Sequence, residues 1–189
     1  MYQAKNYDHL LGTAGFSDTL LKNHFTLYGG YVANTNKILE ILAGKESGTL
    51  EYAELKRRFG WEWNGMKLHE LYFGNMKKGE GDKSAGGAIV KKIEEQFGSY
   101  ENWEKDFKSV GAMRGIGWAI LAYDKESDKL FNVWVNEHDV GHLAGATPLL
   151  VMDVFEHAFM LDYGLNRAGY IDAFMNAIDW GVVERRLTK

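Results

Sequence analysis

A single charged, glycine-rich stretch, residues 77–87, divides the chain into two parts with different sequence patterns. Before it, apolar and aromatic residues recur at the three- and four-residue spacing of amphipathic helices. After it, two shorter helical patterns are followed by runs of bulky β-branched and aromatic residues, which suit a pleated sheet. The sequence therefore predicts two lobes, residues 1–80 and residues 88–189, joined by this linker.

The first lobe is predicted to be an antiparallel hairpin of two long helices. The predicted helical segments are 18–42, a shorter one at 52–59, and 62–76. Ser17 can cap the first helix with its hydroxyl, and Gly44 ends it. Gly29 and Gly30 interrupt it at a cost of about 1 kcal/mol each relative to alanine, which indicates close packing or a kink.

The second lobe is predicted to combine helices with a small sheet. The predicted helices are 88–97, 100–111 and 168–187, and the predicted strands are 117–123, 130–135 and 149–152. The first two strands are separated by a polar turn, which is typical of a β-hairpin. The fold class is therefore α+β, with an N-terminal antiparallel helical hairpin and a C-terminal mixed α/β lobe that carries a three-stranded antiparallel sheet.

Composition excludes several classes of function. The net charge is −4 and no basic stripe is present, which argues against nucleic acid as a partner. No apolar run reaches the roughly 18 residues of a membrane span, and no secretory leader is recognisable, so we expect a cytoplasmic protein without a membrane partner. The chain has no cysteine, so a metal ion would have to be held by histidine and carboxylate side chains.

Asp153 and His157 form the most informative short motif. They stand four residues apart, so both side chains can reach one point from one helical turn. Such a pair is more often a hydrogen bond on a helix surface than a binding site. Here the apolar run 148–152 precedes it and delivers the carboxylate to the end of a strand-like segment.

This segment resembles the C-terminal metal-binding signature of the iron and manganese superoxide dismutases. The resemblance implies one iron or manganese ion per subunit and disproportionation of the superoxide anion to dioxygen and hydrogen peroxide; it leaves open which metal is used. It also implies a ligand histidine in each long helix. The implied ligands are His24, His69, Asp153 and His157.

The first-helix ligand is ambiguous from the sequence. A gapless match to the family anchored on Tyr31 and Val32 puts Asn23 in the ligand position. We favour His24, because neutral imidazole suits a redox iron or manganese centre and an amide does not. This choice supposes that other members carry one extra residue as a π-bulge.

His138 and Tyr31 are the implied catalytic residues. The resemblance places His138 beside the metal-bound solvent, a role compatible with Gly65 in the second helix. It makes Tyr31 a gate that continues the proton path, although a helical tyrosine at core spacing equally suits a packing role. His138 and His142 also approximate the zinc-protease pattern H-E-x-x-H, but the glycines around them indicate a loop rather than the helix that pattern needs.

The resemblance further implies a homodimer in which Glu156 hydrogen-bonds the partner's His157. A companion His–Tyr pair of the family is missing here, since Leu27 or Tyr28 and Met160 occupy its positions. Two alternatives therefore stay open. One is a superoxide dismutase-like metal-binding protein with lost or altered activity, and the other is a mononuclear non-haem iron oxygenase or hydrolase with two histidines and one carboxylate.

Overall fold

The structure is a computed structural model that describes residues 1–79 and 81–188. Glu80 and Lys189, the last residues of the two predicted lobes, lie outside the described residues. The helices are α1 (Asp18–Ala43), α2 (Leu50–Gly74), α3 (Gly87–Phe97), α4 (Tyr100–Gly111), α5 (Met160–Tyr163), α6 (Arg167–Asn176) and α7 (Trp180–Leu187). The strands are β1 (Gly117–Asp124), β2 (Lys129–Asn136) and β3 (Thr147–Asp153). The predicted α+β fold class is confirmed.

Helices α1 and α2 form the N-terminal hairpin. The hydroxyl of Ser17 accepts a hydrogen bond from Leu20 N and begins α1, as the sequence predicts. Thr49 caps α2 in the same way. Each helix buries one stripe at helical spacing against the other, and this stripe contains His24 in α1 and His69 in α2.

The glycines of the hairpin act differently from what the sequence suggests. The two predicted segments 52–59 and 62–76 are one continuous helix, so the predicted break at Gly60 is wrong. Helix propagation on both sides outweighs a single glycine that costs about 1 kcal/mol. A Cβ at Gly29 or Gly30 would meet nothing within 4 Å, so the predicted close packing at these glycines is wrong, and α1 continues through both.

The three strands form one antiparallel sheet in the order β2-β1-β3. The central strand β1 is buried over most of its length, which suits its bulky apolar sequence. Trp118 at its start pairs with Asp153 at the end of β3. The sheet therefore brings the predicted carboxylate ligand beside the glycine-tryptophan segment.

The predicted C-terminal helix 168–187 is two helices, so that prediction is wrong. The chain leaves helix at Ala177, and Ile178 forms a β-bridge with Met76 next to the end of α2. Asp179 then caps α7 by accepting a hydrogen bond from Val182 N. Apolar residues at helical spacing continue across the interruption, which is why the pattern alone suggests one helix.

A buried polar junction connects α2, β3 and α7. The side chain of Asn75 accepts from Val151 N (2.9 Å) and donates to Val151 O (3.2 Å). Arg186 of α7 donates to Asn75 Oδ1, Leu71 O and Leu149 O, and burial lowers its pKa to about 10. Separating these elements would leave buried polar groups unpaired, which is costly. The junction therefore holds the strand that carries Asp153 against the helix that carries His69. Across the described ranges, no helix has the length and apolarity needed to cross a membrane.

Candidate metal centre

Four side chains from both halves of the chain converge in the interior. His24, His69, Asp153 and His157, here called the His–Asp cluster, each offer one ligand atom, and these atoms lie within 4.8 Å of one another. The Nε2 atoms of His24 and His157 each lie 3.2 Å from Asp153 Oδ2, and that of His69 lies 3.5 Å from it. Three imidazole nitrogens and one carboxylate oxygen therefore face one point.

The structure places His24, and not Asn23, in this cluster. His24 is 2% exposed and packs its ring against Tyr72 and Phe73, whereas Asn23 is exposed. Helix α1 is α-helical throughout this region, without a π-turn. One residue fewer in the helix is thus compatible with an inward-facing histidine at position 24.

His69 has the clearest geometry of a metal ligand. Its Nδ1 lies 2.6 Å from Gly65 O, and since a carbonyl can only accept, Nδ1 carries the proton. Its Nε2 is then a bare lone pair that is buried and has no hydrogen-bond partner among the described residues. An unpaired buried acceptor is costly, and a metal ion in the cluster would satisfy it.

Burial and charge set the protonation of the cluster. Burial lowers the pKa of both His24 and His69, so both rings are neutral at neutral pH. Burial alone would raise the pKa of the Asp153 carboxyl, but His157 and His24 more than offset this and hold it below its usual range. The cluster therefore presents neutral imidazoles at His24 and His69 and an anionic oxygen at Asp153, the forms of these groups that bind metal.

Asp153 is held from several sides. Its Oδ1 accepts from Phe155 N (2.8 Å), which leaves Oδ2 to the three histidines. The hydroxyl of Tyr170 donates to the Asp153 carbonyl (2.5 Å) and lies 3.1 Å from Tyr72 Oη. His157 follows in a short 3₁₀ turn, Glu156–Ala158, rather than in the helical turn that the i, i+4 spacing indicates.

His138 and Tyr31 lie beside the cluster and contact each other. Trp118 Nε1–H, which can only donate, bonds His138 Nδ1 at 3.1 Å. His138 Nδ1 must then be the acceptor, so Nε2–H donates to Tyr31 Oη at 2.7 Å. Burial lowers the pKa of His138 to about 4, which keeps the ring in this neutral tautomer. Trp118 thereby fixes the tautomer of His138, with the proton on the nitrogen that contacts Tyr31.

Gly65 provides the space that Tyr31 occupies. A Cβ at position 65 would lie 2.5 Å from the Tyr31 ring, which stacks on His69 with centroids 5.2 Å apart. The sequence suggests that Gly65 leaves room for His138, but its nearest neighbour is Tyr31. Any side chain here would move that ring away from the cluster.

Aromatic side chains enclose the cluster. Phe155 stacks on both His138 (4.8 Å) and His157 (5.0 Å), and Trp118 meets His69 edge-on at 5.0 Å. Trp61 contacts His138 at 4.9 Å, a neighbour that sequence reasoning missed because it placed a helix break at this position. Continuous helical spacing from position 50 would have put Trp61 two turns before His69, on the same face.

The remaining histidines lie outside the cluster. His9 and His142 are exposed, and His142 donates through Nε2 to the carbonyl of His138. Glu156 is exposed, and the side chain of His157 is 28% exposed where the cluster comes nearest to the surface.

Comparison with known proteins gives this constellation a context. Residues 85–186 match the family described as iron/manganese superoxide dismutases, C-terminal domain. The chain is 39% identical to a manganese superoxide dismutase of Halobacterium salinarum, over 84% of this chain and 79% of the relative. It is also 39% identical to an iron superoxide dismutase of Aquifex pyrophilus, over 96% of this chain and 90% of the relative. An iron superoxide dismutase of Cupriavidus metallidurans is 38% identical, with coverages of 88% and 85%.

The match covers the sheet, the carboxylate and the last histidine, and the relatives extend the similarity through the helical hairpin that carries the other two. The chain therefore belongs to the iron/manganese superoxide dismutase family.

Proposed function

We propose that the protein is a superoxide dismutase, which converts two superoxide anions and two protons into dioxygen and hydrogen peroxide. The observation that carries the proposal is the His–Asp cluster, in which three imidazoles and one carboxylate converge on one point. The similar proteins are named as iron or manganese superoxide dismutases, so the cofactor is iron or manganese.

His24, His69, Asp153 and His157 would hold the ion. Neutral nitrogens with a single anionic oxygen suit iron and manganese in both the +2 and +3 states. The unpaired lone pair on His69 Nε2 supports the fit, because no protein donor in the described residues satisfies it. The bound ion supplies alternate one-electron oxidation and reduction of superoxide.

Tyr31 and His138 would deliver protons to the reaction. Peroxide forms only when two protons are delivered, and burial raises the pKa of Tyr31 to about 12, so its hydroxyl stays protonated. His138 donates to Tyr31 Oη, which leaves the Tyr31 O–H free to donate to a group in the site. Tyr31 and His138 both lie against rings of the cluster, so we expect protons to be delivered through these two residues.

The two alternatives predict different behaviour. A family member with lost activity would bind metal without turning over superoxide. An iron oxygenase or hydrolase uses two histidines and one carboxylate and keeps open positions for a co-substrate, whereas three histidines converge here. The extra histidine favours the dismutase over the oxygenase.

Metal analysis of the purified protein with a parallel assay of superoxide decay tests the proposal. We expect about one iron or manganese ion per chain and decay that is first order in enzyme without added reductant. Removal of the ion with a chelator should abolish the activity, and reconstitution with each metal in turn identifies the working one. Stoichiometric metal without superoxide turnover would instead support a protein of altered activity.

A homodimer is part of the same proposal. Exposed Glu156 adjoins the partly exposed edge of His157, whose Nδ1 has no hydrogen-bond partner among the described residues. Leu161 and Met160 beside them are 58% and 44% exposed, an apolar surface where the family's His–Tyr pair is missing. Glu156 of one copy would bond His157 of the other, within an apolar rather than a polar rim.

Sedimentation analysis tests the dimer. We expect a mass of twice 21.4 kDa for the native protein. Glu156→Ala should weaken dimerisation at least about tenfold, because it removes a charge-assisted bond at the centre of the interface. Glu126→Ala, an exposed carboxylate in the β1–β2 turn, is the matched control and should leave the mass unchanged. A native monomer would contradict this part of the proposal.

We also propose a cytoplasmic location, because the absence of cysteine fits a reducing compartment. Fractionation of the source cells tests it, and recovery of the protein outside the cytoplasm would contradict it.

A further inference from the structure

A second feature of the site is a surface cleft of about 340 Å³ that reaches Tyr31. It is lined by Leu27, Gly30, Tyr31, Asn34, Arg58, Trp61 and Glu62. Two of these, Tyr31 and Trp61, contact His138, at 2.7 Å from Oη to Nε2 and at 4.9 Å between ring centroids. The cleft therefore ends at the residues that border the His–Asp cluster.

One charge pair borders the cleft. Glu62 is 2% exposed, and its carboxylate accepts from Arg58 Nε at 2.7 Å and from Asn34 Nδ2 at 3.3 Å. The Arg58 side chain is 57% exposed and lies over the Trp61 ring, 5.3 Å from its centroid. The buried Glu62 carboxylate thus borders the cleft, and the exposed Arg58 guanidinium is paired with that carboxylate.

The two charges have opposite effects on an anion. An uncompensated Glu62 carboxylate would repel superoxide from the cleft, and burial strengthens that field because less water screens it. The positive charge of Arg58 offsets the negative field of Glu62, and the guanidinium has further N–H groups that remain exposed to solvent. The pair also acts on Tyr31: Glu62 adds to the burial that raises the tyrosine pKa, and Arg58 opposes it.

Arg167, the first residue of α6, already has hydrogen-bond partners. Its Nη1 donates to Met113 O at 2.6 Å and its Nη2 to Gly115 O at 3.0 Å, and its guanidinium lies over the Phe159 ring. It secures the segment before β1 and is not one of the residues that line the cleft.

We propose that the Arg58–Glu62 pair, which borders this cleft, sets the affinity of the metal centre for small anions. Arg58 acts as a positioning residue through its charge and does not touch the reacting atoms. The inference rests on the proposed function for the identity of the metal site, but it concerns anion affinity and not turnover.

Azide titration of the metal-loaded protein, followed by optical absorption, measures that affinity directly. Arg58→Gln should weaken azide binding about fivefold, because the buried carboxylate loses its counter-charge. Glu62→Gln should tighten it about fivefold, because the Arg58 charge is then uncompensated while the Asn34 hydrogen bond can be kept. The double variant should return to within about twofold of the native protein.

A neighbouring pair on the same helix supplies the matched controls. Arg57 and Glu54 form an ion pair with 74% and 71% exposed side chains outside the cleft. Arg57→Gln and Glu54→Gln make the same charge changes in solvent and should leave azide affinity unchanged.

Opposite shifts in the two single variants would support the inference. Shifts in the same direction, or an Arg57→Gln effect equal to that of Arg58→Gln, would overturn it. If Arg58→Gln does not fold, the Glu62→Gln variant is sufficient: tighter azide binding supports the inference, and unchanged or weaker binding overturns it. Flat azide affinities in a protein that turns over superoxide would count against this inference only, whereas the expected azide pattern without turnover would count against the proposed function only.

Discussion

Replacing His24 by alanine is expected to reduce metal content from about one ion per chain to below about a tenth, because it removes one of four ligands from a buried site. His24 Nε2 lies 3.2 Å from Asp153 Oδ2, and its buried ring packs against Tyr72 and Phe73. Superoxide turnover should be lost with the metal. Elemental analysis after dialysis measures the occupancy, and the decay assay measures the activity.

Asn23→Ala is the control, since position 23 is exposed and adjoins the same helical turn. It should keep full occupancy. Thermal unfolding gives a readout independent of activity: a ligand that binds only the folded state raises its stability, so a chelator should lower the Tm of the native protein and of Asn23→Ala but not that of His24→Ala. Metal loss from Asn23→Ala and its retention by His24→Ala would reverse the assignment.

Local sequence signals predict much of this fold. Ser17 is read correctly as a helix cap, and the hairpin of β1 and β2 follows from its bulky alternating residues. The errors occur where helix propagation or a tertiary contact decides. Gly60 does not end α2 because helical residues on both sides propagate the helix through it. Ile178 ends the last long helical pattern because it pairs with Met76, a residue distant in sequence.

For the metal centre too, some residues can be predicted from local sequence and others depend on how the helices pack. Asp153 and His157 carry a local motif, and the chemistry of imidazole against amide selects His24 over Asn23. The contact between Gly65 and Tyr31 depends on how α1 and α2 pack, which sequence spacing does not specify. Arg58 and Trp61 were overlooked for a related reason: a predicted helix break left their direction undefined, and only a continuous α2 turns them towards Tyr31 and His138.

Replacing Tyr31 by phenylalanine is expected to lower the rate of superoxide turnover about 100-fold, the lower end of what a positioned proton donor contributes. The change removes only the hydroxyl that His138 Nε2–H contacts at 2.7 Å, so the ring can still stack on His69 and the metal content should not change. Because burial raises the pKa of Tyr31 to about 12, its hydroxyl is protonated from about pH 6 to about pH 9, and the loss should be the same across that range.

Tyr28→Phe separates proton donation from a general loss of packing. Tyr28 precedes Tyr31 by one turn of α1, but its hydroxyl accepts from Lys5 N and donates to Glu70 Oε1, away from the cluster. Both variants lose a hydrogen-bonding hydroxyl worth about 1 kcal/mol of stability, so their unfolding free energies should fall alike. Only Tyr31→Phe should slow turnover in the decay assay. Equal rates in the two variants would mean that Tyr31 packs against the site without supplying its proton, and the second proton would then have to come from bulk water through the cleft.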